Sequence, residues 1–181
     1  MNLTETQIPE AISWTGPLFA SDPVYNITVS YRSHGPPVRC PWTRTPFIKY
    51  VANAIDEIKG GPNVVVGITM WAHFTSYPVE VYMKRMEAVR AAVERLFHRS
   101  PETLVVIKSA NTREGDTITA GDWHAYKLDL VMREVFRGMN VVLVDAWEMT
   151  NAQHWHKDDI HPAEDIVTQE LEYFCSFICP L

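Results

Sequence analysis

A histidine and two acids come just before the last predicted helix of the chain. The segment Asp158-Asp159-Ile160-His161-Pro162 places a carboxylate three residues before an imidazole. A histidine in this position can act as a general base, and a carboxylate bonded to its second ring nitrogen can orient it, as in a hydrolytic triad. The spacing also fits a simpler interpretation, in which the acid caps the helix and His161 is a surface loop residue.

The same stretch allows a second kind of chemistry. Five side chains that can ligate a metal fall within it: His154, His156, Asp158, Asp159 and His161. A zinc site is the alternative that this composition leaves open. Because no His-Glu-x-x-His motif and no cysteine pair accompany these residues, we favour the triad and expect no metal. We also expect no cofactor, since the chain lacks a phosphate-binding glycine loop and a dinucleotide-binding fingerprint.

A polar loop also follows the predicted strand at residues 64–68. Its backbone amides and a polar side chain, around Ala72 and His73, could stabilise an oxyanion. The structural alternative is that Trp71 and Phe74 pack this loop onto the core, while His73 satisfies buried carbonyl groups. Both interpretations remain open on the sequence.

A cationic side chain follows the next predicted strand. Arg113, in the segment NTRE, could hold an anionic group of a substrate. It could equally pair with a neighbouring acid, Glu114 or Asp116. The spacing does not choose between these roles.

Three continuous apolar runs place these loops on one edge of a sheet. The runs at residues 64–68, 104–107 and 141–144 are typical of parallel strands that are covered on both faces. Residues 26–32 instead alternate apolar and polar side chains, which predicts a half-buried edge strand. In parallel sheets, ligands bind at the loops after the carboxyl ends of the strands, and all the candidate residues lie in such loops.

Helical patterns lie between the strands, at residues 47–58, 79–97 and 122–137, and from Pro162 onward. Asp122 is a good N-cap and Gly138 a good stop for the third of them. The apolar stripe of the second helix is Tyr82, Met86, Val89, Val93 and Leu96, and that of the last is Val167, Leu171, Phe174 and Ile178. The alternating order predicts an α/β domain with three layers, α/β/α, around a parallel sheet.

Composition excludes some classes of function. The net charge is -6 and no Lys/Arg cluster is present, so we expect no nucleic-acid partner. No apolar run approaches the roughly 20 residues that a membrane span needs, and the start MNLTETQIPEAISW lacks the pattern of a signal peptide. Two glycosylation triplets, at Asn2 and Asn26, nevertheless leave a secreted protein open.

Five stretches together carry a specific resemblance. They are SYRSHGPPVR (30–39), the block from WAHFTSYPVE to SANTRE (71–114), DWHAYKLDLVMREVF (122–136), VVLVDAWEMT (141–150) and HPAEDIVTQELEYFCSFICPL (161–181). Over most of the chain, from about residue 14 onward, the sequence resembles the NXPE (neurexophilin and PC-esterase domain) family. The resemblance implies an SGNH-hydrolase-like, flavodoxin-like α/β/α sheet, related to PC-esterases and glycan O-acyl transferases.

The resemblance also assigns roles to residues. Asp158 and His161 match the Asp-x-x-His that closes the SGNH pattern, as orienter and general base. Ala72 and His73 stand where SGNH enzymes place an oxyanion-hole asparagine, so this chain departs from the pattern there. The nucleophile motif Gly-Asp-Ser is absent from the chain. We therefore expect the nucleophile and the first strand of the sheet to belong to an upstream segment of a parent protein.

The expected organisation follows from this resemblance. Residues 1–23 would be an irregular N-terminal segment, and residues 24–181 the C-terminal part of the SGNH-like domain. Flavodoxin-like sheets order their strands 2-1-3-4-5. Residues 26–32 and 64–68 would then be strands 2 and 3, about 10 Å apart with strand 1 missing between them. The other strands would form one continuous parallel block.

The implied function is that of a fragment of an O-acyl esterase or acyltransferase. Its partner would be an acyl ester on a glycan or glycoprotein, in the secretory pathway or outside the cell. We expect the chain alone to be inactive because it lacks the serine. The alternative is a non-catalytic secreted module that binds a glycan or a protein on the same scaffold.

Overall fold

The computed structural model describes residues 4–7, 18–34, 48–113, 121–153, 157 and 161–179. The chain divides into two compact units, Met1–Ala54 and Ile55–Leu181.

The first unit contains an antiparallel sheet of three strands. These are β1 (Thr4–Gln7), β2 (Leu18–Asp22) and β3 (Ile27–Tyr31), in that order across the sheet. In the register of the second pair, Asp22 lies opposite Ile27. The hairpin turn between them therefore consists of residues 23–26.

The side chain of Asp22 organises this turn. Its Oδ1 accepts hydrogen bonds from the amides of Val24 and Tyr25, at 3.0 and 3.2 Å. Asn26 ends the turn with a φ of 53°, in the left-handed region that asparagine tolerates better than most residues. Aspartate and asparagine at the two ends of this short segment thus close the hairpin.

The expectation that residues 26–32 form strand 2 of the parallel sheet is wrong. β3 pairs with β2 in the antiparallel sheet, and all five of its side chains are exposed among the described residues. The expected gap of one strand between residues 26–32 and 64–68 therefore does not apply, because the two strands belong to different sheets. The expectation of an irregular segment at residues 1–23 is also corrected, since β1 and β2 lie within it.

The second unit contains the predicted parallel block. Its strands are β4 (Val65–Ile68), β5 (Leu104–Lys108) and β6 (Val142–Val144), in that order. Val66 lies beside Val105, and Val106 lies beside Val142. The three apolar runs thus form adjacent parallel strands, as predicted.

Helices flank this sheet and confirm the α/β class. The α-helices in the described residues are α1 (Val51–Asp56), α2 (Val79–Arg99), α3 (Asp122–Val135), α4 (Ala146–Asn151) and α5 (Glu164–Ser176). The sequence analysis did not predict α4, which is only six residues long. Within the described part of the chain, no helix has the length and apolar character to cross a membrane.

The predicted stripe of α2 forms much of the core. All five of its residues are buried, and Tyr82, Met86 and Leu96 are among the largest fully buried side chains in the described residues. Burial of such side chains stabilises a fold by about 1.5–3 kcal/mol each. The helical spacing therefore located the core face of α2 correctly.

The predicted stripe of α5 is wrong. Val167, Leu171 and Ile178 are exposed, and the buried residues of the helix are Ile166 and Glu170. The sequence pattern misled because a carboxylate occupies the core-facing side of this helix while leucine and valine face outward. α5 begins at Glu164, two residues after the predicted start at Pro162.

The ends of α3 agree with the prediction in part. Gly138 lies just beyond the helix with a φ of +77°, the left-handed conformation expected of a glycine stop. Asp122, predicted as the N-cap, is the first residue of the helix, and Gly121 takes the cap position. The Asp122 carboxylate is engaged elsewhere, where it accepts a hydrogen bond from the amide of Arg113.

Gly60 provides a stability prediction. It has a φ of +84°, and a Cβ at this position would lie 2.5 Å from the Ser100 Cβ and 2.6 Å from the Thr103 Oγ1. We expect Gly60→Ala to lower the free energy of unfolding by about 2–3 kcal/mol, because backbone strain and steric overlap act together. Urea unfolding followed by circular dichroism measures this loss.

Gly138→Ala is the matched control. Its φ of +77° is similar, but nothing lies within 4 Å of the added Cβ. We expect a loss of only about 1 kcal/mol, which is the backbone part alone. Equal losses in the two variants would show that the contact with Ser100 and Thr103 relaxes without cost.

Candidate functional site

The loop after β4 folds into a short 3-10 turn, Ala72–Phe74. The Thr75 hydroxyl donates to the Ala72 carbonyl at 2.9 Å and closes the turn. The Phe74 ring packs against Tyr82 of α2, with ring centroids 5.5 Å apart, and Trp71 is buried. The aromatic residues thus pack this loop onto the core, as the structural alternative predicted.

The loop after β5 is held by hydrogen bonds to two helices. The Thr112 amide donates to the Thr150 hydroxyl of α4 at 2.9 Å, and the Trp147 amide donates to the Ser109 hydroxyl at 3.0 Å. The Ala110 amide donates to Asp129 of α3 at 3.0 Å. These bonds fix the backbone directly before Arg113.

Arg113 extends from this loop to the loop after β4. Its guanidinium carbon lies 5.6 Å from the centroid of the Trp71 ring, within the range of a cation–π contact. Its Nη1 donates to the Thr75 hydroxyl at 3.5 Å, and the residue is 9% exposed. The two loops that the sequence analysis selected separately therefore meet at this side chain.

His73 belongs to the same cluster. It is half-buried, and burial lowers the pKa of its imidazole, with the positive charge of Arg113 acting in the same direction. Both influences therefore favour the neutral form of the imidazole. The cluster thus combines a buried guanidinium with a neutral imidazole.

The predicted catalytic pair is described only in part. His161 is exposed and precedes α5, and its carbonyl accepts a hydrogen bond from the Lys157 amide at 3.0 Å. Asp158 and Asp159 lie outside the described residues. The orientation of His161 by Asp158 therefore stays a prediction. The alternative zinc site also lies largely outside, since His154 and His156 are not described.

The sequence analysis missed an ionic network around a buried carboxylate at the same sheet edge. Asp129 is 1% exposed and accepts from the Arg133 Nε at 2.6 Å, while the Arg133 Nη2 donates to Asp145 at 2.6 Å. The hydrogen bond to Asp145, its largest influence, raises the pKa of Arg133. Burial acts to raise the pKa of Asp145, but the bond and charge of Arg133 outweigh it, so that this pKa is lowered.

The sequence contains an indication of the ion pair in this network but none of its burial. Asp129 and Arg133 are four residues apart on a helix, a spacing that favours an ion pair. Such pairs are usually exposed, and the sequence does not show that Asp129 faces the core. Asp145, which directly follows β6, then joins the pair to the amino end of α4, where it accepts from the Glu148 amide.

A second ion pair, which also contains a buried carboxylate, joins the sheet to α5. The Lys108 Nζ, at the carboxyl end of β5, lies 3.5 Å from the Glu170 Oε2 and 3.4 Å from the Asn111 Oδ1. Burial lowers the pKa of Lys108 and raises that of Glu170, and in each case the opposite charge of the partner counteracts the shift. Glu170 was not part of the apolar stripe that the sequence predicted for α5, so this pair was not expected.

These observations define the class of protein. The chain has a mixed α/β fold of the SGNH-hydrolase kind, with a three-stranded parallel sheet flanked by helices and its polar loops after the carboxyl ends of the strands. It matches the family described as "NXPE family member 4-like, C-terminal domain" over residues 1–179. The chain therefore belongs to the NXPE family, which confirms the resemblance and extends it to the amino terminus. No solved structure matches the chain.

Proposed function

We propose that this chain supplies the base and the substrate loops of an O-acyl esterase or acyltransferase that acts on glycans or glycoproteins. The observation that carries the proposal is the Asp158-x-x-His161 motif, which follows β6 and directly precedes α5, in a chain of the NXPE family. Membership of this family supports a PC-esterase-like domain. We place the reaction in the secretory pathway or outside the cell.

The proposal gives His161 the role of general base. It would take the proton from a nucleophilic hydroxyl and later deliver it to the leaving group, while Asp158 orients the ring. The exposure of His161 is compatible with this role, because a base must reach a group that is not part of its own segment. No serine of the chain stands in a Gly-Asp-Ser context, so the proposal assigns the nucleophile to a residue beyond these 181.

The loop at Ala72 and His73 takes the role of substrate loop. Its short turn is fixed by Thr75 and by aromatic packing, so the loop is rigid enough to position an acyl group. A neutral His73 can donate one N–H to a developing oxyanion without adding a second charge beside Arg113. Ala72 offers only its backbone, and this is where the chain departs from the asparagine of the SGNH pattern.

The test is acyl hydrolysis by the longest natural protein that carries this sequence. We expect it to turn over p-nitrophenyl acetate and to lose activity with a serine-directed phosphonate. The 181-residue chain alone should give no turnover above background, because loss of a nucleophile costs orders of magnitude in rate.

Two results would contradict the proposal. Phosphonate-sensitive turnover by the 181-residue chain would mean that it contains its own nucleophile. Binding of a glycan or protein by the longer protein, with no release or transfer of acyl groups from any ester, would favour the non-catalytic module instead.

A further inference from the structure

Arg113 is a buried cation without a counter-ion among the described residues. It is 9% exposed, its Nε has no hydrogen-bond partner in the described part of the chain, and it forms no ion pair there. Its one described side-chain hydrogen bond is a long one, 3.5 Å to the neutral Thr75 hydroxyl. Burial of a charge is costly unless the charge is paired, so this arrangement leaves a favourable interaction unmade.

The neighbours of Arg113 compensate only partly. The centroid of the Trp71 ring lies 5.6 Å from the guanidinium carbon and contributes a cation–π contact, which is weaker than a buried ion pair. The Asp122 carboxylate is near enough to act on the guanidinium, but its Oδ1 accepts from the backbone amide of Arg113 and it makes no ion pair with the side chain. Burial, the larger influence, lowers the pKa of Arg113, while Asp122 acts to raise it.

The position of this cation is that of a ligand site. Arg113 follows β5 and Trp71 and Thr75 follow β4, two neighbouring parallel strands. Ligands of open α/β sheets bind beyond the carboxyl ends of the strands, where these loops lie. The half-buried His73 adds an imidazole with an N–H donor to the same cluster.

We propose that Arg113, together with His73 and against the face of Trp71, binds an oxyanion: a carboxylate, sulfate or phosphate group of a ligand. The Nε–H and an Nη–H would pair with two oxygens of that group, which is the fork geometry of arginine. Binding of an oxyanion at this site does not depend on acyl chemistry. The further identification of this ligand as an acidic group on the acyl-bearing substrate rests on the proposed function.

The experiment measures the unfolding midpoint of the 181-residue chain in rising acetate, sulfate or phosphate. Ionic strength is held constant with sodium chloride, which is also the reference. A ligand that binds only the folded state raises the midpoint with its concentration. We expect a saturable rise with at least one of the three anions. The acetate arm tests for a planar carboxylate, and the sulfate and phosphate arms test for a tetrahedral group.

Substitution of Arg113 shows whether the effect belongs to this site. Arg113→Met should abolish the anion-dependent rise and leave the midpoint in chloride unchanged or higher, since it removes an uncompensated buried charge. Arg113→Lys keeps the charge but loses the fork, so the apparent affinity should fall about tenfold. Arg95→Met is the control: Arg95 is exposed and paired with Asp56, and its loss should leave the anion response intact.

Several outcomes would overturn the proposal. One is the absence of any midpoint rise with all three anions. Another is an equal rise in the Arg113→Met and unmodified chains, which would mean adventitious surface binding only. A lower midpoint of Arg113→Met in chloride, with no anion response in the unmodified chain, would assign Arg113 a structural role.

A direct measurement covers the case in which Arg113→Met fails to fold. The imidazole resonances of His73 in the unmodified chain should shift during an acetate or sulfate titration and should saturate at the concentration that saturates the unfolding midpoint. Unchanged His73 resonances would contradict the proposal. Neither measurement depends on ester turnover, so the oxyanion site and the proposed function can fail independently.

Discussion

Replacement of Asp129 by alanine is expected to lower the free energy of unfolding by about 3–4 kcal/mol. The carboxylate is 1% exposed and satisfies two donors, the Ala110 amide at 3.0 Å and the Arg133 Nε at 2.6 Å. Its removal leaves a buried amide unpaired and a guanidinium whose remaining ion pair among the described residues is with Asp145. An unsatisfied buried donor alone costs about 1–3 kcal/mol. Urea unfolding followed by circular dichroism measures the loss.

Two further variants separate the contributions. Asp129→Asn keeps an acceptor for Ala110 but loses the charge that faces Arg133, so we expect an intermediate loss. Glu94→Ala breaks an exposed pair of the same spacing, Arg90–Glu94, and should cost about 0.5 kcal/mol or less. If Asp129→Ala cost no more than Glu94→Ala, the network around Asp129 would not stabilise the fold.

Replacement of His161 by alanine is expected to lower kcat/KM for ester hydrolysis by about a thousandfold or more in the longest natural protein that carries this sequence. In the proposed function, this side chain is the only group that accepts the proton of the nucleophilic hydroxyl. Because His161 is exposed, the variant should fold as well as the unmodified protein. Its circular dichroism spectrum and unfolding midpoint provide that check.

The two adjacent acids provide a matched pair. Asp158→Asn should reduce kcat/KM strongly, because an amide cannot hold the imidazole in the tautomer that accepts a proton. Asp159→Asn changes the same charge one residue away and should have a much smaller effect. A larger loss for Asp159→Asn would show that the orienter is misassigned. Normal activity of His161→Ala would show that the Asp158-x-x-His161 motif is not catalytic.

The sequence predicted the second unit better than the first. The apolar runs at residues 64–68, 104–107 and 141–144 became β4, β5 and β6, because continuous apolar runs fit strands that are covered on both faces. The alternating segment at residues 26–32 was correctly predicted as a strand but assigned to the wrong sheet. Alternation reports that a strand has two different faces, and it carries no information about which strand is its neighbour.

The candidate site was also predicted in part. His73 and Arg113 were each selected from the loop after a strand, and the structure brings them together because β4 and β5 are adjacent. Their connection through Thr75 and Trp71 could not be predicted, since it depends on how each loop folds. Asp129 and Glu170 were missed for a different reason. Buried carboxylates are rare, so a helix face that contains one is normally taken as exposed.

The pair Lys108–Glu170 has a mechanical consequence for α5. A helix can slip against a sheet by one turn, about 5.4 Å, when only interchangeable apolar side chains hold it. Here the ion pair fixes α5 at the end of β5, and the Phe174 ring lies 3.9 Å from where a Cβ of Gly67 on β4 would be. A slip of one turn would break the ion pair and move the Phe174 ring away from Gly67, so both contacts oppose it. The segment that leads into α5 is thereby held in position relative to the carboxyl ends of the strands. His161 lies in that segment.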